Sequence, residues 1–219
     1  LLMSIEQHFE DRTKEFENKS EPGPEVAFVV DFVQKLKPKK VLEIGMNYGR
    51  ELKKLEGQAL LYGVDSNEKM VDLARSHIKG RFQRADACCL PYENSTFGLV
   101  YTCGLLSHIP PERVYEAVME AVRVSKKYVL FVEYCGTRQS KNNVYNCKKF
   151  TWVHDYEKLV STINAFIKYN KNVFLGSDLY HVILLEKPQI QQKEIITEIR
   201  EEKKPKFQIK IGKFEWKFG

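Results

Sequence analysis

The chain has 219 residues, 43% of them apolar and 12% aromatic, which is enough to bury the core of one good-sized domain and excludes a disordered chain. No apolar run approaches the roughly 20 residues that span a bilayer, and the charged residues near the start predict no signal peptide, so we expect a cytoplasmic protein without membrane partners. The net charge of +6 comes from lysines scattered among acids, which argues against a nucleic-acid interface, and the five cysteines without Cys-x-x-Cys spacing predict neither a disulfide framework nor a metal site.

The first 37 residues are predicted to form an N-terminal helical cap. Residues 4–19 have few apolar positions among many charges and predict a weakly amphipathic helix or a mobile arm. A stronger helix begins at Pro24, which suits a first-turn position, and its apolar residues keep helical spacing as far as Leu36. Pro38 ends this helix and precedes the main domain.

The segment 41–50 predicts a strand, a glycine loop and the start of a helix. Its apolar residues end at Ile44, Gly45 and Gly49 then bracket a polar turn around Asn47, and a helix follows from Arg50. This arrangement lets the backbone approach a nucleoside ligand at the carboxyl edge of a parallel sheet. The Gly-x-Gly-x-x-Gly spacing that seats a dinucleotide pyrophosphate on a helix N-terminus is missing.

Two further predicted strands end at carboxylates. A strand over 59–65 ends at Asp65, 20 residues after Gly45, and an amphipathic helix follows over 70–78. The short strand 81–85 is followed directly by Asp86. Because parallel strands end at the same edge of a sheet, we expect these acids to lie near the glycine loop.

The remaining elements complete an α/β pattern. A strand over 96–102 leads to Cys103, a helix begins at Pro111, and a fully apolar strand covers 127–134. Strands that alternate with helices indicate a doubly wound, Rossmann-like sheet with right-handed crossovers. The last predicted elements are a loop over 135–150, a helix over 155–166 and two strands at 173–175 and 181–185. The sheet then has seven strands, mostly parallel, with an antiparallel last strand.

Residues 188–219 are predicted to form a C-terminal extension. Its first part, 189–204, predicts a charged helix, and strict alternation over 207–211 and 214–218 predicts a β-hairpin with a type II′ turn. The predicted cross-strand pairs are Ile211 with Phe214, Ile209 with Trp216 and Phe207 with Phe218. A two-stranded ribbon alone is marginal in water. We therefore expect its apolar face to be covered by the domain, by a second copy in a homodimer, or by another partner.

Together these motifs resemble the class I S-adenosylmethionine (SAM)-dependent methyltransferases over residues 38–187. The matching segments are Val-Leu-Glu-Ile-Gly at 41–45, Tyr-Gly-Val-Asp at 62–65, Ala-Asp-Ala at 85–87, Phe-Gly-Leu-Val at 97–100 and Leu-Leu-Ser-His-Ile-Pro-Pro-Glu at 105–112. The nearest resemblance within this superfamily is to the methylases associated with pseudaminic acid biosynthesis, through segments 43–49, 104–112, 123–134 and Tyr180-His181. The chain departs from these methylases at its N-terminus, after Tyr134 and in the hairpin, which leaves its acceptor open.

The resemblance implies SAM as the cofactor, and each part of SAM needs a different protein group. Asp65 is placed to accept hydrogen bonds from both ribose hydroxyls, as the acid does in dinucleotide folds. Asp86 is expected to accept from the adenine amino group, and Glu43 to meet the ammonium of the amino acid end, directly or through water. The predicted cofactor-binding residues are Glu43, Gly45, Asn47, Gly49, Asp65, Ser66, Asp86, Ala87 and Cys103.

Methyl transfer is an in-line displacement, and most of the barrier reduction can come from holding nucleophile, methyl carbon and sulfur collinear. A hydroxyl acceptor also needs a base, and His108, just beyond the fourth strand, is the candidate because histidine suits proton transfer near neutral pH. The alternative is a structural His108 that caps the following helix. Tyr134, Tyr180 and His181 are candidates to line the acceptor pocket, with packing within the strands as the alternative.

The sequence leaves three functions open. The leading one is a SAM-dependent methyltransferase acting on a hydroxyl or amino group of a small molecule, with a sugar or sugar nucleotide as the main candidate. An RNA or tRNA methyltransferase is favoured by the lysine-rich tail but lacks an Asn-Pro-Pro-Tyr-type segment after the fourth strand. The third is a non-catalytic SAM-binding module that docks to a partner through the hairpin.

Overall fold

The computed structural model describes residues 23–137, 152–176, 178–189, 208–211 and 214–217. The chain divides into two compact units, Leu1–Lys187 and Pro188–Gly219. The predicted three-part division into 1–37, 38–187 and 188–219 stays a prediction. The segment 4–19, most of the predicted loop over 135–150 and nearly all of the predicted helix over 189–204 lie outside the described residues.

The first unit is built on a seven-stranded mixed sheet. Its strands are β1 (Lys40–Ile44), β2 (Leu60–Asp65), β3 (Arg81–Arg84), β4 (Phe97–Cys103), β5 (Ser125–Thr137), β6 (Phe166–Leu175) and β7 (Asp178–Glu186). The spatial order is β3-β2-β1-β4-β5-β7-β6, in which β1 to β5 are parallel and β7 runs antiparallel to both of its neighbours. The strand order reverses at β1, so the ends of β1, β2 and β4 form the topological switch point. The predicted Rossmann-like α/β fold is confirmed.

Helices cover both faces of this sheet. They are α1 (Pro24–Leu36), α2 (Arg50–Lys54), α3 (Glu68–His77), α4 (Val114–Val124) and α5 (Tyr156–Ser161), with a short 3-10 helix at Leu106–His108. Successive strand side chains enter two separate buried clusters: in β4, Val100 packs with α4 and α5, whereas Tyr101 packs with α1, α2 and α3. No helix in the described part of the chain is both long and apolar enough to cross a membrane.

Local sequence explains where the helices begin and end. Pro24 occupies the first turn of α1, and Lys37 closes that helix in a left-handed conformation (φ 47°) while its N–H bonds to Val33 O. Asn67 caps α3 by accepting from the Lys69 N–H at 3.0 Å. Helix α4 begins at Val114, later than the predicted start at Pro111, because a turn precedes it.

The region after β5 differs from its prediction. Strand β5 continues to Thr137, so the predicted loop begins later than Cys135. The helix predicted over 155–166 ends at Ser161, and Phe166 begins a long strand β6 where only 173–175 had been expected as strand. Strand β6 lies at the sheet edge with most of its side chains exposed, so it lacks the apolar alternation by which a half-buried strand is identified.

The second unit contains the predicted hairpin. Strand β8 (Gln208–Ile211) pairs antiparallel with β9 (Phe214–Lys217). Ile211 is opposite Phe214 and Ile209 is opposite Trp216, as the alternation predicted. Phe207 and Phe218 lie outside the described residues. The partner expected to cover the apolar face of this hairpin stays a prediction.

Candidate functional site

The loop between β1 and α2 requires glycine at both ends. Gly45 (φ +73°) and Gly49 (φ +83°) lie in the left-handed region, as does Asn47 between them (φ 53°). A Cβ at Gly45 would lie 2.6 Å from Leu105 Cδ1, and one at Gly49 would lie 2.4 Å from Ile78 Cδ1. The predicted glycine loop is therefore tightly packed between the ends of β1, α3 and β4, and its backbone is in close contact with its neighbours.

Asp65 anchors this loop to the end of β2. Its Oδ2 accepts from the Asn47 N–H at 2.8 Å, and its Oδ1 accepts from the Asn67 N–H at 2.9 Å. Burial raises the pKa of this carboxyl, while the backbone N–H groups act in the opposite direction. A carboxylate has about four lone-pair positions, and the backbone N–H groups of Asn47, Asn67 and Ser66 do not fill all of them. Asp65 is thus held in one orientation and retains acceptor capacity for a ligand.

Asp86 lies beyond β3, beside a cleft of about 420 Å³ lined by Ser66, Arg84, Ala85 and Asp86. Its Oδ1 accepts from the Cys88 N–H at 2.9 Å, and its Oδ2 accepts from Arg113 Nη2 at 2.9 Å. Partial burial opposes the charge, but these two donors hold the pKa of the Asp86 carboxyl below its usual value. The predicted adenine-binding acid is therefore an oriented carboxylate at the rim of an open cleft.

Glu43 does not lie at the open edge where it was predicted. Its side chain is buried, and Oε2 accepts from Tyr101 Oη at 2.8 Å. Burial and the neighbouring Glu51 raise the pKa of this carboxyl well above its usual value. Side-chain alternation in β1 places Glu43 on the face covered by α1 and α2, so the structure assigns it to the core beneath the glycine loop.

Arg50, which the sequence predicted only as a helix start, links two helices near this loop. Its Nη1 lies 3.2 Å from Glu25 Oε1 in α1, and its Nη2 lies 3.3 Å from Glu51 Oε1 in α2. Cys103, at the end of β4, is half-buried near the same carboxylates, and burial together with Glu51 and Glu43 raises the pKa of its thiol well above the usual value. Cys103 is therefore a neutral group at this edge.

The predicted acceptor residues lie on opposite faces of the sheet. Tyr134 and Tyr180 are cross-strand partners, and their rings meet edge to face at 6.1 Å. His181 points to the other face, where its ring lies 5.8 Å from that of Tyr156 and its Nε2 lies 2.6 Å from Asn170 Oδ1. The two tyrosines can line one pocket, but the structure does not bring His181 to them.

His108 ends the 3-10 helix that follows β4 and is half-buried. Its backbone N–H bonds to Leu105 O at 2.8 Å, and the side chain of Leu105 packs against the glycine loop. The turn that carries His108 is therefore adjacent to the predicted cofactor edge. Helix α4 begins only at Val114, so the alternative of a cap on the first turn of that helix loses support.

Two side chains that sequence reasoning missed hold this turn, the buried Glu133 and the half-buried His154. Glu133, in β5, accepts from the Leu106 N–H at 2.9 Å, and His154 Nε2 lies 2.9 Å from Leu106 O. Glu133 is 27 positions from Leu106 along the chain and His154 is 48 positions away. Neither contact follows from local spacing, and only the fold brings the groups together.

The ends of β1 to β4 thus collect most of the predicted cofactor residues at one edge. Those placed there are Gly45, Asn47, Gly49, Asp65, Ser66, Asp86, Ala87 and Cys103. The glycine loop is bonded to Asp65, and the Ala85 N–H after β3 bonds to Asp65 O at 3.0 Å, so the loops after β1, β2 and β3 are directly connected. The arrangement suits a ligand with hydroxyl and amino donors and no phosphate.

Comparisons with known proteins agree with this geometry. Residues 41–128 match the family model described as a methyltransferase domain. A comparison with curated protein sequences finds no match.

Many solved structures share the fold. Magnesium protoporphyrin IX methyltransferase from Synechocystis PCC 6803 with bound SAH is 15% identical, with a TM-score of 0.66 over 81% of this chain and 94% of that one. A SAM-dependent methyltransferase from Methanosarcina mazei is 18% identical, with a TM-score of 0.60 over 71% of this chain and 96% of that one. A TehB-like SAM-dependent methyltransferase from Corynebacterium glutamicum is 16% identical, with a TM-score of 0.63 over 83% of this chain and 98% of that one.

Proposed function

We propose that the chain is a class I SAM-dependent methyltransferase that methylates a hydroxyl or amino group of a small molecule in the cytoplasm, on the methyltransferase-domain match over residues 41–128 and the shared fold. A sugar or sugar nucleotide is the leading acceptor class, on the resemblance to pseudaminic-acid-associated methylases in segments 43–49, 104–112 and 123–134. One observation carries the proposal: the ends of consecutive strands hold Asp65 and Asp86 as oriented carboxylates around a glycine loop.

The residues at this edge fit SAM. When bound, SAM supplies an electrophilic methyl group on a sulfonium. Asp65 retains acceptor capacity for ribose hydroxyls, because a carboxylate has about four lone-pair positions and the backbone N–H groups of Asn47, Asn67 and Ser66 do not fill all of them. Asp86 borders a cleft of about 420 Å³ and can accept from the adenine amino group. The close packing at Gly45 and Gly49 leaves backbone, without side chains, to meet the amino acid end.

His108 is the proposed base for a hydroxyl acceptor. It lies at the end of a turn whose Leu105 side chain contacts the glycine loop, so its backbone is fixed relative to the cofactor edge. A histidine there takes the proton that the acceptor loses as the new bond to carbon forms. Tyr134 and Tyr180 supply aromatic surface at the β5 and β7 ends of the same edge. An amino acceptor that is already neutral needs no base, so dependence on His108 separates the two acceptor classes.

Transfer of labelled methyl groups from SAM tests the proposal. Wild-type protein is incubated with sugars, sugar nucleotides, simple amines and total RNA in parallel, and labelled products are separated by chromatography. The expected result is a labelled small molecule. For a hydroxyl acceptor, His108→Ala should reduce turnover about 100-fold or more and change SAM affinity less than threefold. Glu112→Ala, an exposed position in the same segment, is the matched control. Labelled RNA, or SAM binding without any labelled product, would overturn the proposed acceptor class.

A further inference from the structure

The turn between β4 and α4 carries His108 beside the cofactor edge. It begins at Gly104, whose φ of +68° turns the chain away from the strand. Leu105 then packs closely on Gly45, since a Cβ added to Gly45 would lie 2.6 Å from Leu105 Cδ1. Any shift of this turn would move His108 relative to the glycine loop.

Glu133, in β5, accepts hydrogen bonds from the backbone N–H groups of this turn. Its side chain is completely buried, and its Oε2 accepts from the Leu106 N–H at 2.9 Å. The backbone N–H groups of Leu105 and Ser107 also stabilise its charged form, and its Oε1 accepts from Thr102 Oγ1 at 2.5 Å. A buried carboxylate is costly unless several donors surround it. Here those donors are the backbone of the turn itself.

His154 holds the carbonyl groups of the same turn. Its Nε2 lies 2.9 Å from Leu106 O and 3.0 Å from Ile109 O. Both partners can only accept, so Nε2 carries the hydrogen and donates to them. The neighbouring Trp152 N–H donates to Ser107 O at 2.7 Å. The backbone of the turn is therefore bonded on its donor side by β5 and on its acceptor side by the segment before α5.

We propose that Glu133 and His154 are positioning residues for methyl transfer: as a two-sided clamp on the turn at 105–109 they hold His108 in register with the glycine loop. The proposal rests on the proposed function of His108. Neither residue need touch the cofactor or the acceptor. Their removal should therefore weaken turnover through His108 and leave the Asp65 and Asp86 contacts in place.

Substitution by glutamine should have different effects at Glu133 and at His154. At Glu133, Gln keeps the size of the side chain but replaces one acceptor oxygen by an NH₂ group that opposes the N–H groups of the turn. At His154, Gln keeps an N–H donor for the carbonyl groups, whereas Leu removes it. We therefore expect Glu133→Gln and His154→Leu to be defective and His154→Gln to retain part of the function.

Hydrogen exchange and kinetics on the full chain test the clamp together. In Glu133→Gln, exchange of the amides at 105–107 should rise about tenfold or more, because their buried acceptor is replaced. In His154→Leu the same amides should also exchange faster, because the turn loses the bonds that hold Leu106 O and Ile109 O. Turnover should fall by a similar factor, S-adenosylhomocysteine (SAH) affinity should change less than threefold, and His154→Gln should recover part of the turnover. Glu112→Gln is the matched carboxyl control.

Each outcome decides the proposal. Unchanged exchange at 105–107 in folded variants, unchanged turnover despite faster exchange, or SAH affinity that falls as far as turnover would overturn the clamp. If Glu133→Gln does not fold, the His154→Leu and His154→Gln pair supplies the same comparison. Exchange is measured without any acceptor, so a wild-type protein that fails to transfer methyl groups would refute the proposed function and not the clamp.

Discussion

Replacement of Asp65 by alanine tests the proposed cofactor edge through the affinity for SAH. The substitution removes an acceptor from the Asn47 and Asn67 N–H groups, at 2.8 and 2.9 Å, and removes the proposed acceptor of both ribose hydroxyls. A hydrogen bond to a charged group contributes roughly 1.5–3 kcal/mol. Loss of two such bonds to the ribose costs about 3–6 kcal/mol of binding free energy, so SAH should bind roughly 10²–10⁴-fold more weakly.

Isothermal titration calorimetry with SAH measures this effect directly. Asp72→Ala is the control, since Asp72 is an exposed acid on the following helix, paired with Arg75. Circular dichroism must show that both variants are folded, because Asp65 also anchors the glycine loop. A folded Asp65→Ala variant that binds SAH within threefold of wild type would refute the assignment of Asp65 to the ribose.

Three further predictions follow from individual contacts. Gly45→Ala should destabilise the protein more than Gly57→Ala by roughly 1–3 kcal/mol in thermal denaturation, because both glycines have positive φ but a Cβ at Gly57 has no heavy atom within 4 Å; equal losses would contradict the close packing of Leu105. Arg113→Ala should raise the pKa of Asp86, followed by NMR, and weaken SAH binding at most about fivefold, because the pair is partly exposed; an unchanged pKa would contradict the ion pair. Burial raises the pKa of Glu133 to about 7, so the folded state binds a proton more tightly than the unfolded state. The free energy of unfolding of wild type should therefore fall by about 3 kcal/mol relative to that of Glu133→Gln as the pH rises from 4.5 to above 7. A difference in urea unfolding that does not change with pH would contradict this.

The parts of the fold that sequence could predict are those with a local signal. Gly45 and Gly49 bracket a turn that needs left-handed backbone, Asp65 ends a strand with a clear apolar run, and Asp86 follows shortly after β3. The hairpin register followed from alternation and loop length alone. These features were confirmed because each depends on neighbours within a few positions.

The parts of the prediction that differ from the structure have different causes. Glu43 was expected at the open edge, but Tyr101, 58 positions away, draws its carboxyl into the core. His181 follows Tyr180 in sequence and was grouped with it, although alternation along β7 sends the two side chains to opposite faces. Strand β6 was missed because an exposed edge strand has no apolar face to identify it.

The contacts that matter most for the turn carrying His108 had no signal at all in the sequence. Glu133 lies within an apolar strand, where a single acid has no predicted partner, and His154 follows a segment without regular periodicity. Both side chains find their hydrogen-bond partners only when the fold brings β5 and the segment before α5 to the turn at 105–109. Positions of this kind need a three-dimensional structure.

Titration of the unmodified protein with SAH, followed by hydrogen exchange, tests the cofactor edge most directly. Saturable binding should slow exchange of the backbone amides at 45–49, 65–67 and 86–88, where the loops after β1, β2 and β3 meet. An absence of binding, or protection confined to other segments, would contradict the proposal that these strand ends hold the nucleoside.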